Sequence, residues 1–382
     1  MRNVPKLRFK EFSGEWEEKK LETIIKKYED PIETPTEGYM RLGLRSHAKG
    51  TFHSYVEKGK ELETAKMFRV APNKFILNIT FAWEHAVAIT SEEDSGMLVS
   101  HRFPQFSFDE TIFPLFFGYL ILDKKFKNHL ELSSPGGAGR NRVLKIKEML
   151  EYKMKFPSKK EQEKIGNFLS SVDKKISITE EKLNLFKDYK KGIMQKIFNQ
   201  KLKFKDSNGN DYPEWEEKKL GEISSVQTGK KDLEDKKENG IYPFFVRSKN
   251  IERIDTYSYD GEAILIPGDG KIGEVYHYIN GKFDYHQRVY KISDFKNIYC
   301  KYIYYYLHEK FKKHALTYTA KATVDSLRLP VIKEFTIKLP CLEEQEKIAD
   351  FLSSIDNKID NLAAELENLK EFKKGLLQQM FV

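Results

Sequence analysis

"EQEKIGNFLSSVDKKI" (161–176) is written a second time as "EQEKIADFLSSIDNKI" (344–359), 183 positions further along the chain. Twelve of the sixteen positions are identical, and the exchanges Gly166/Ala349, Asn167/Asp350, Val172/Ile355 and Lys174/Asn357 are mild. The likeness reaches outward on both sides. "EWEEKKL" at 15–21 returns at 214–220, and the two blocks end alike in "KKGIMQKIF" (190–198) and "KKGLLQQMF" (373–381). The chain therefore reads as a tandem duplication with its boundary near residue 200. A period this long means two domain-sized units rather than a stacked solenoid, and two similar units imply an approximate internal two-fold.

Each block reads as a long helix, over 158–199 and 341–382, following Pro157 or Pro340. Ser158 and Glu161 have the spacing of a reciprocal helix cap, whereas Cys341 stands at the serine's place in the second copy. Apolar residues fall alternately four and three apart: Ile165, Leu169, Val172, Ile176, (Thr179), Leu183 and Phe186, then Ile348, Leu352, Ile355, Ile359, Leu362, Leu366 and Leu369. That is a heptad seam. Residues 158–200 hold ten Lys against six Asp/Glu, and residues 341–382 hold five against nine, so charges of +4 and −4 favour pairing of the two helices with each other. The other reading of the seam is a buried face lying on a globular domain. Gly192 and Gly375 match within the helices, where each costs about 1 kcal/mol relative to Ala; close packing, a bend, a contact surface or simple inheritance from the duplicated ancestor would explain them.

With 382 residues the chain can bury more than one core, and its formal charge of +8 favours an anionic partner such as nucleic acid. No run of about 18 apolar residues occurs, and the first residues carry charges where a signal peptide is apolar, so a cytoplasmic location is expected. The two cysteines, Cys300 and Cys341, lack metal-ligand spacing.

The middles diverge after "EWEEKKL", the first being 16 residues longer, with "DKKFKNHL" (123–130) against "HEKFKKHA" (308–315) as a trace of common descent. Strands are expected over 74–81 and 262–267 and a helix over 301–314, an α+β mixture. "GDGKIG" (268–273) fits a dinucleotide fingerprint, but the aromatic and β-branched "EVYHYI" that follows predicts a turn between strands. Glu151 and Lys153 have the spacing of some nucleases without an acidic partner in a convincing strand, and no Walker loop or nucleophile elbow occurs.

Two divergent regions, each followed by "P-x-x-x-E-Q-E-K-I" and "F-L-S-S-[VI]-D-x-K-I", resemble the specificity (S) subunits of Type I restriction-modification systems over the whole chain. The resemblance implies an α+β fold of two paralogous target recognition domains, each followed by a long helix. The two helices would pair as an antiparallel intramolecular coiled coil with pseudo-two-fold symmetry. The corresponding boundaries are 1–157 and 201–340 for the domains and 158–200 and 341–382 for the helices. It implies a non-catalytic reader of bipartite double-stranded DNA, one half per domain, that positions two methyltransferase subunits for adenine methylation and a restriction subunit for ATP-dependent cleavage. No cofactor is expected on this chain; S-adenosylmethionine, ATP and Mg are implied for the partners, and no membrane is involved. A coiled-coil scaffold with an incidental basic surface and a self-contained nuclease are the alternatives.

Duplex readers use Arg on guanine, Asn and Gln on adenine, and Lys, Ser and Thr on phosphates. In the first domain the candidates are Arg45, Ser46, His47 and Lys49, His101 and Arg102, and Arg140, Asn141 and Arg142. In the second they are Arg247, Lys249 and Asn250, Lys271, His286, Gln287 and Arg288, and Lys321 and Thr323.

Overall fold

Strand Glu17–Lys20 pairs antiparallel with Lys153–Phe156, and its repeat counterpart Glu216–Lys219 pairs the same way with Thr336–Leu339. Each domain is thus closed by a ladder joining its first and last strands, immediately before a long helix. The computed structural model of the chain describes residues 3–136, 142–270, 272–319 and 326–382. By contacts it divides into two units, one of residues up to Thr179 with Glu365–Val382, the other of Glu180–Ala364.

In the first unit a four-stranded antiparallel sheet has the order Ile25–Tyr28, Gln105–Phe108, Phe75–Leu77, Val87–Ile89. A five-stranded sheet contains the hairpin Tyr39–Leu44 and Thr51–Val56. Helices Pro114–Leu120 and Lys124–Leu132 supply Phe116, Phe117 and Phe126 to a core with Trp16, Phe75 and Phe156. The strand expected over 74–81 is only Phe75–Leu77. Asn78 ends it: its side chain accepts the Thr80 amide at 3.0 Å, a local turn that competes with the ladder.

The second unit has one six-stranded sheet, ordered Ser225–Thr228, Val289–Ser293, Tyr259–Pro267, His277–Tyr285, Tyr242–Phe245, Ile251–Ile254. The expected strand at 262–267 lies within Tyr259–Pro267, and the Gly-rich segment after it leads to the antiparallel strand His277–Tyr285, so it joins two strands. The expected helix is Cys300–Thr319, which buries Tyr302, Ile303, Leu307 and Phe311 on one face.

The repeated blocks are single helices, Lys159–Phe198 and Leu342–Met380, each about 60 Å long at ~1.5 Å per residue. The matching glutamines explain why "EQEK" is written twice. Gln162 Nε2 donates to the Pro157 and Thr111 carbonyls at 3.0 and 3.1 Å, and its Oε1 accepts the Phe113 amide at 3.0 Å. Gln345 repeats the clamp on the Pro340 carbonyl at 2.8 Å and the Tyr299 amide at 3.0 Å. Both are buried, so each ties its helix to its domain. The preceding glutamates differ. Glu344 accepts the Trp215 indole at 3.0 Å, whereas Glu161 holds the Arg8 guanidinium at 2.7 Å and leaves the buried Trp16 Nε1 without a hydrogen-bond partner. The expected reciprocal cap is therefore half formed: the Glu161 amide reaches Ser158 Oγ at 3.4 Å, but its carboxylate is committed to Arg8.

Both seam readings hold, in different stretches. Ile165, Leu169 and Val172 belong to the first unit's core together with Leu376 and Met380 from the end of the other long helix, and Ile176 packs against it. Ile348, Leu352 and Ile355 belong likewise to the second unit's core with Met194, Ile197 and Phe198, and Ile359 packs against them. Leu183 and Leu366 are buried and Leu362 is half-buried. In each unit the helix segments run antiparallel, as Asp173–Lys373 and Lys175–Glu365 show in one, and Lys190–Asp356 together with Lys358 over the Phe186 ring in the other. Gly192 and Gly375 face open space: a methyl added at Gly192 would meet nothing within 4 Å, and one at Gly375 only Gln379 Nε2 at 4.0 Å, so close packing within the chain does not require them.

Candidate nucleic-acid interface

The hairpin turn of the first domain is held by the neighbouring loop. His47 and Ala48 adopt left-handed backbone, and their amides donate to the Glu84 and His85 carbonyls at 2.8 and 2.7 Å. Ser46 donates to the Glu84 carboxylate at 2.5 Å. Arg45 lies 5.4 Å over the Phe52 ring and donates to the Thr51 carbonyl. Ser46 and Arg45 therefore build the turn, while His47 and Lys49 are exposed on it. Behind it opens a cleft of about 560 Å³ lined by Arg41, Phe52, Phe81, Glu84, His101 and Arg102, among others. His101 and Arg102 are exposed at its rim.

Arg142 differs from the expectation. It lies 5.3 Å over the Trp83 ring and 3.6 Å from Glu131, a half-buried structural contact rather than a side chain presented to a ligand. Arg140 and Asn141 lie outside the described residues, as do Lys271, Lys321 and Thr323.

In the second domain a cleft of about 730 Å³ is lined by Val246, Arg247, Ser248, Asp269 and His286, among others. Arg247, Lys249 and Asn250 are exposed on the turn between Tyr242–Phe245 and Ile251–Ile254, with Arg247 paired to Asp269 at 3.3 Å. His286 is buried, contrary to the expectation of a presented side chain. Its Nδ1 accepts the Arg288 amide at 2.9 Å, which leaves the proton on Nε2, 3.5 Å from Asp232 and without a hydrogen-bond partner. The imidazole shapes the turn, and Gln287 and Arg288 are what the turn exposes. The Leu233 amide and further contacts from His286 and Gln287 hold the Asp232 carboxyl below its ordinary range. Among the described residues no group of three or more His, Cys, Asp or Glu is placed to hold a metal ion, and no helix is long and apolar enough to cross a membrane.

Residues 15–187 and 212–371 both match the Type I restriction modification DNA specificity domain. The chain belongs to this family. The specificity subunit of the type I restriction enzyme EcoDI from Escherichia coli is 30% identical over 169 residues, 43% of this chain and 37% of that protein. The MjaVIII specificity subunit from Methanocaldococcus jannaschii is 29% identical over 290 residues, 68% of each. The crystal structure of a type I restriction-modification S subunit from M. genitalium superposes over 99% of both chains with a TM-score of 0.68 at 16% identity, which shows a shared fold.

Sequence reasoning missed several cleft residues of these specificity domains. Arg41 sits inside a strand with an apolar core face, and Phe52 and Phe81 look like core residues by type but are 36% and 41% exposed. The sequence carried no signal for Phe52: burial along Thr51–Val56 does not alternate, and Phe52 shares its strand face with the half-buried Ser54 and Val56.

Proposed function

We propose that the chain is the DNA-recognition subunit of a type I restriction-modification complex. Each domain reads one half of a bipartite duplex target, and the paired helices hold the domains and seat two methyltransferase subunits. The observation that carries the reading is the double match to a DNA specificity domain, each copy bearing a cleft with Arg at its rim and followed by the same clamped helix. Catalysis lies with the partners: the methyltransferases take S-adenosylmethionine and act on an adenine that must leave the stack, and restriction subunits use ATP and Mg for cleavage. The complex works in the cytoplasm, where its DNA is.

The test is to co-express the full chain with its methyltransferase and map methylated adenines by sequencing. A split consensus with a fixed unspecified gap is expected. Assembly without any consensus supports a scaffold, and cleavage of DNA by the isolated chain supports a nuclease.

A further inference from the structure

The two domains share little sequence, yet four strands of each follow one order. Ile25–Tyr28, Gln105–Phe108, Phe75–Leu77 and Val87–Ile89 correspond to Ser225–Thr228, Val289–Ser293, Tyr259–Pro267 and His277–Tyr285. Hydrogen bonds refine the match to single residues. Just beyond the third strand, the Ile79 amide donates to the Arg102 carbonyl at 2.9 Å and the Ile79 carbonyl accepts the Leu144 amide at 2.8 Å. In the second domain the Gly268 amide donates to the Arg288 carbonyl at 2.7 Å and the Gly268 carbonyl accepts the Leu327 amide at 2.6 Å. Leu144 and Leu327 are themselves 183 positions apart, the repeat period. Arg102 and Arg288 therefore stand at the same backbone position in two diverged domains, each on the turn that enters the second strand.

Their side chains also agree. Both are exposed, and among the described residues neither guanidinium has a hydrogen-bond or ion-pair partner, unlike those of Arg8, Arg45, Arg142 and Arg247. Each turn borders its domain's cleft: Arg102 lines the first, and His286, whose Nδ1 holds the Arg288 amide at 2.9 Å, lines the second. A clamped backbone carrying a free, planar, five-donor side chain suits bidentate contact to the O6 and N7 acceptors of guanine.

Resting on the functional reading above, we propose that Arg102 and Arg288 are equivalent specificity-determining residues, each selecting a guanine in the half-site of its own domain. The wild-type methylation consensus then contains a fixed G·C pair in each half. In the full chain with its methyltransferase, Arg288→Ala relaxes that pair in one half by about tenfold or more and leaves the other half unchanged; Arg102→Ala does the converse. An unaltered consensus in either variant, or weaker methylation with equal relaxation of both halves, overturns the proposal and marks phosphate contacts instead. Where a variant ceases to methylate, its binding is compared on duplexes altered at single positions of one half or the other; undiminished discrimination at every position of its own half overturns the proposal equally. A wild-type chain that yields no split consensus refutes the functional reading, so the two failures are distinct.

Discussion

Lys190 and Asp356 form an ion pair at 2.5 Å in the second unit, and the residues 183 positions away in each direction, Lys373 and Asp173, form the same pair at 2.5 Å in the first. Tyrosines complete both: Tyr305 donates to Asp356 at 2.7 Å and lies under Lys190, as Tyr119 donates to Asp173 at 2.8 Å and lies under Lys373. Each pair fastens the last part of one long helix to the first part of the other beside a domain. The four side chains are 22–38% exposed, so the coupling should be near the top of the range for accessible pairs, about 1 kcal/mol. A double-mutant cycle on Lys190→Ala and Asp356→Ala, followed by urea unfolding, should return that value; zero coupling would show that the two charges are neighbours without net attraction.

The glutamine clamps are stronger determinants. In Gln162→Leu the half-buried Phe113 amide loses its acceptor, and the Thr111 carbonyl and the buried Pro157 carbonyl lose their donor. A buried polar group left unpaired costs roughly 1–3 kcal/mol, so the first unit should lose about 2 kcal/mol or more. Gln345→Leu should do the same to the second. Losses under about 0.5 kcal/mol, the scatter of surface substitutions, would mean that water takes over the clamp.

The matched glycines predict a gain. Since an added methyl at Gly192 meets nothing within 4 Å and at Gly375 only Gln379 Nε2 at 4.0 Å, replacement by Ala should stabilise each helix by about 0.5–1 kcal/mol. The thermal midpoint of the double variant should rise. A fall would reveal a backbone bend that alanine resists.

Acid should loosen the first unit through Asp94. Burial alone would raise its carboxyl, but His53 at 2.8 Å, the Ser91 amide at 2.8 Å and the Thr51 and Ser91 hydroxyls outweigh this and hold it below the ordinary 3.8. A carboxyl depressed in the folded state contributes stability that is complete above about 3.8 and is lost as pH falls through the folded value. Asp94→Asn should be less stable than wild type at pH 7 and should lose less on going to pH 3, as measured by tryptophan fluorescence in urea. Parallel pH profiles for the two proteins would contradict this.

What is legible in the sequence follows from what each residue does locally. Gln162 and Gln345 keep their neighbours because both copies clamp a Pro carbonyl, and identical tasks leave identical letters. The heptad spacing is plain, but its partner is not: Leu169 and Leu352 present the same period whether they meet a helix or a domain core, and in each case the core includes the end of the other helix. In the candidate loops, Arg102 and Arg142 look alike in sequence. Only packing separates them, since Trp83 and Glu131 engage Arg142 and leave Arg102 unengaged. His286 misleads for a similar reason, because an imidazole serves equally as a surface donor or as a buried support for the Arg288 amide.

The duplicated helices can be tested as a spacer. The ion pairs Asp173–Lys373 and Lys175–Glu365 lie within the first unit, and Lys190–Asp356 lies within the second. Insertions at the unit boundaries, after Thr179 and after Ala364, therefore leave these three pairs and both glutamine clamps in place. Inserting seven residues at each point keeps the heptad phase and lengthens each helix by about 10 Å at ~1.5 Å per residue. If the helices set the separation of the two domains on DNA, the methylated consensus should keep both half-sites while its unspecified gap widens by about three base pairs, at ~3.4 Å each. Insertion into one helix alone should disrupt the pairing and abolish methylation. A doubly extended chain that assembles, methylates normally and retains the original gap would show that the helices serve partner binding alone, and that the separation of the half-sites is set by the methyltransferases.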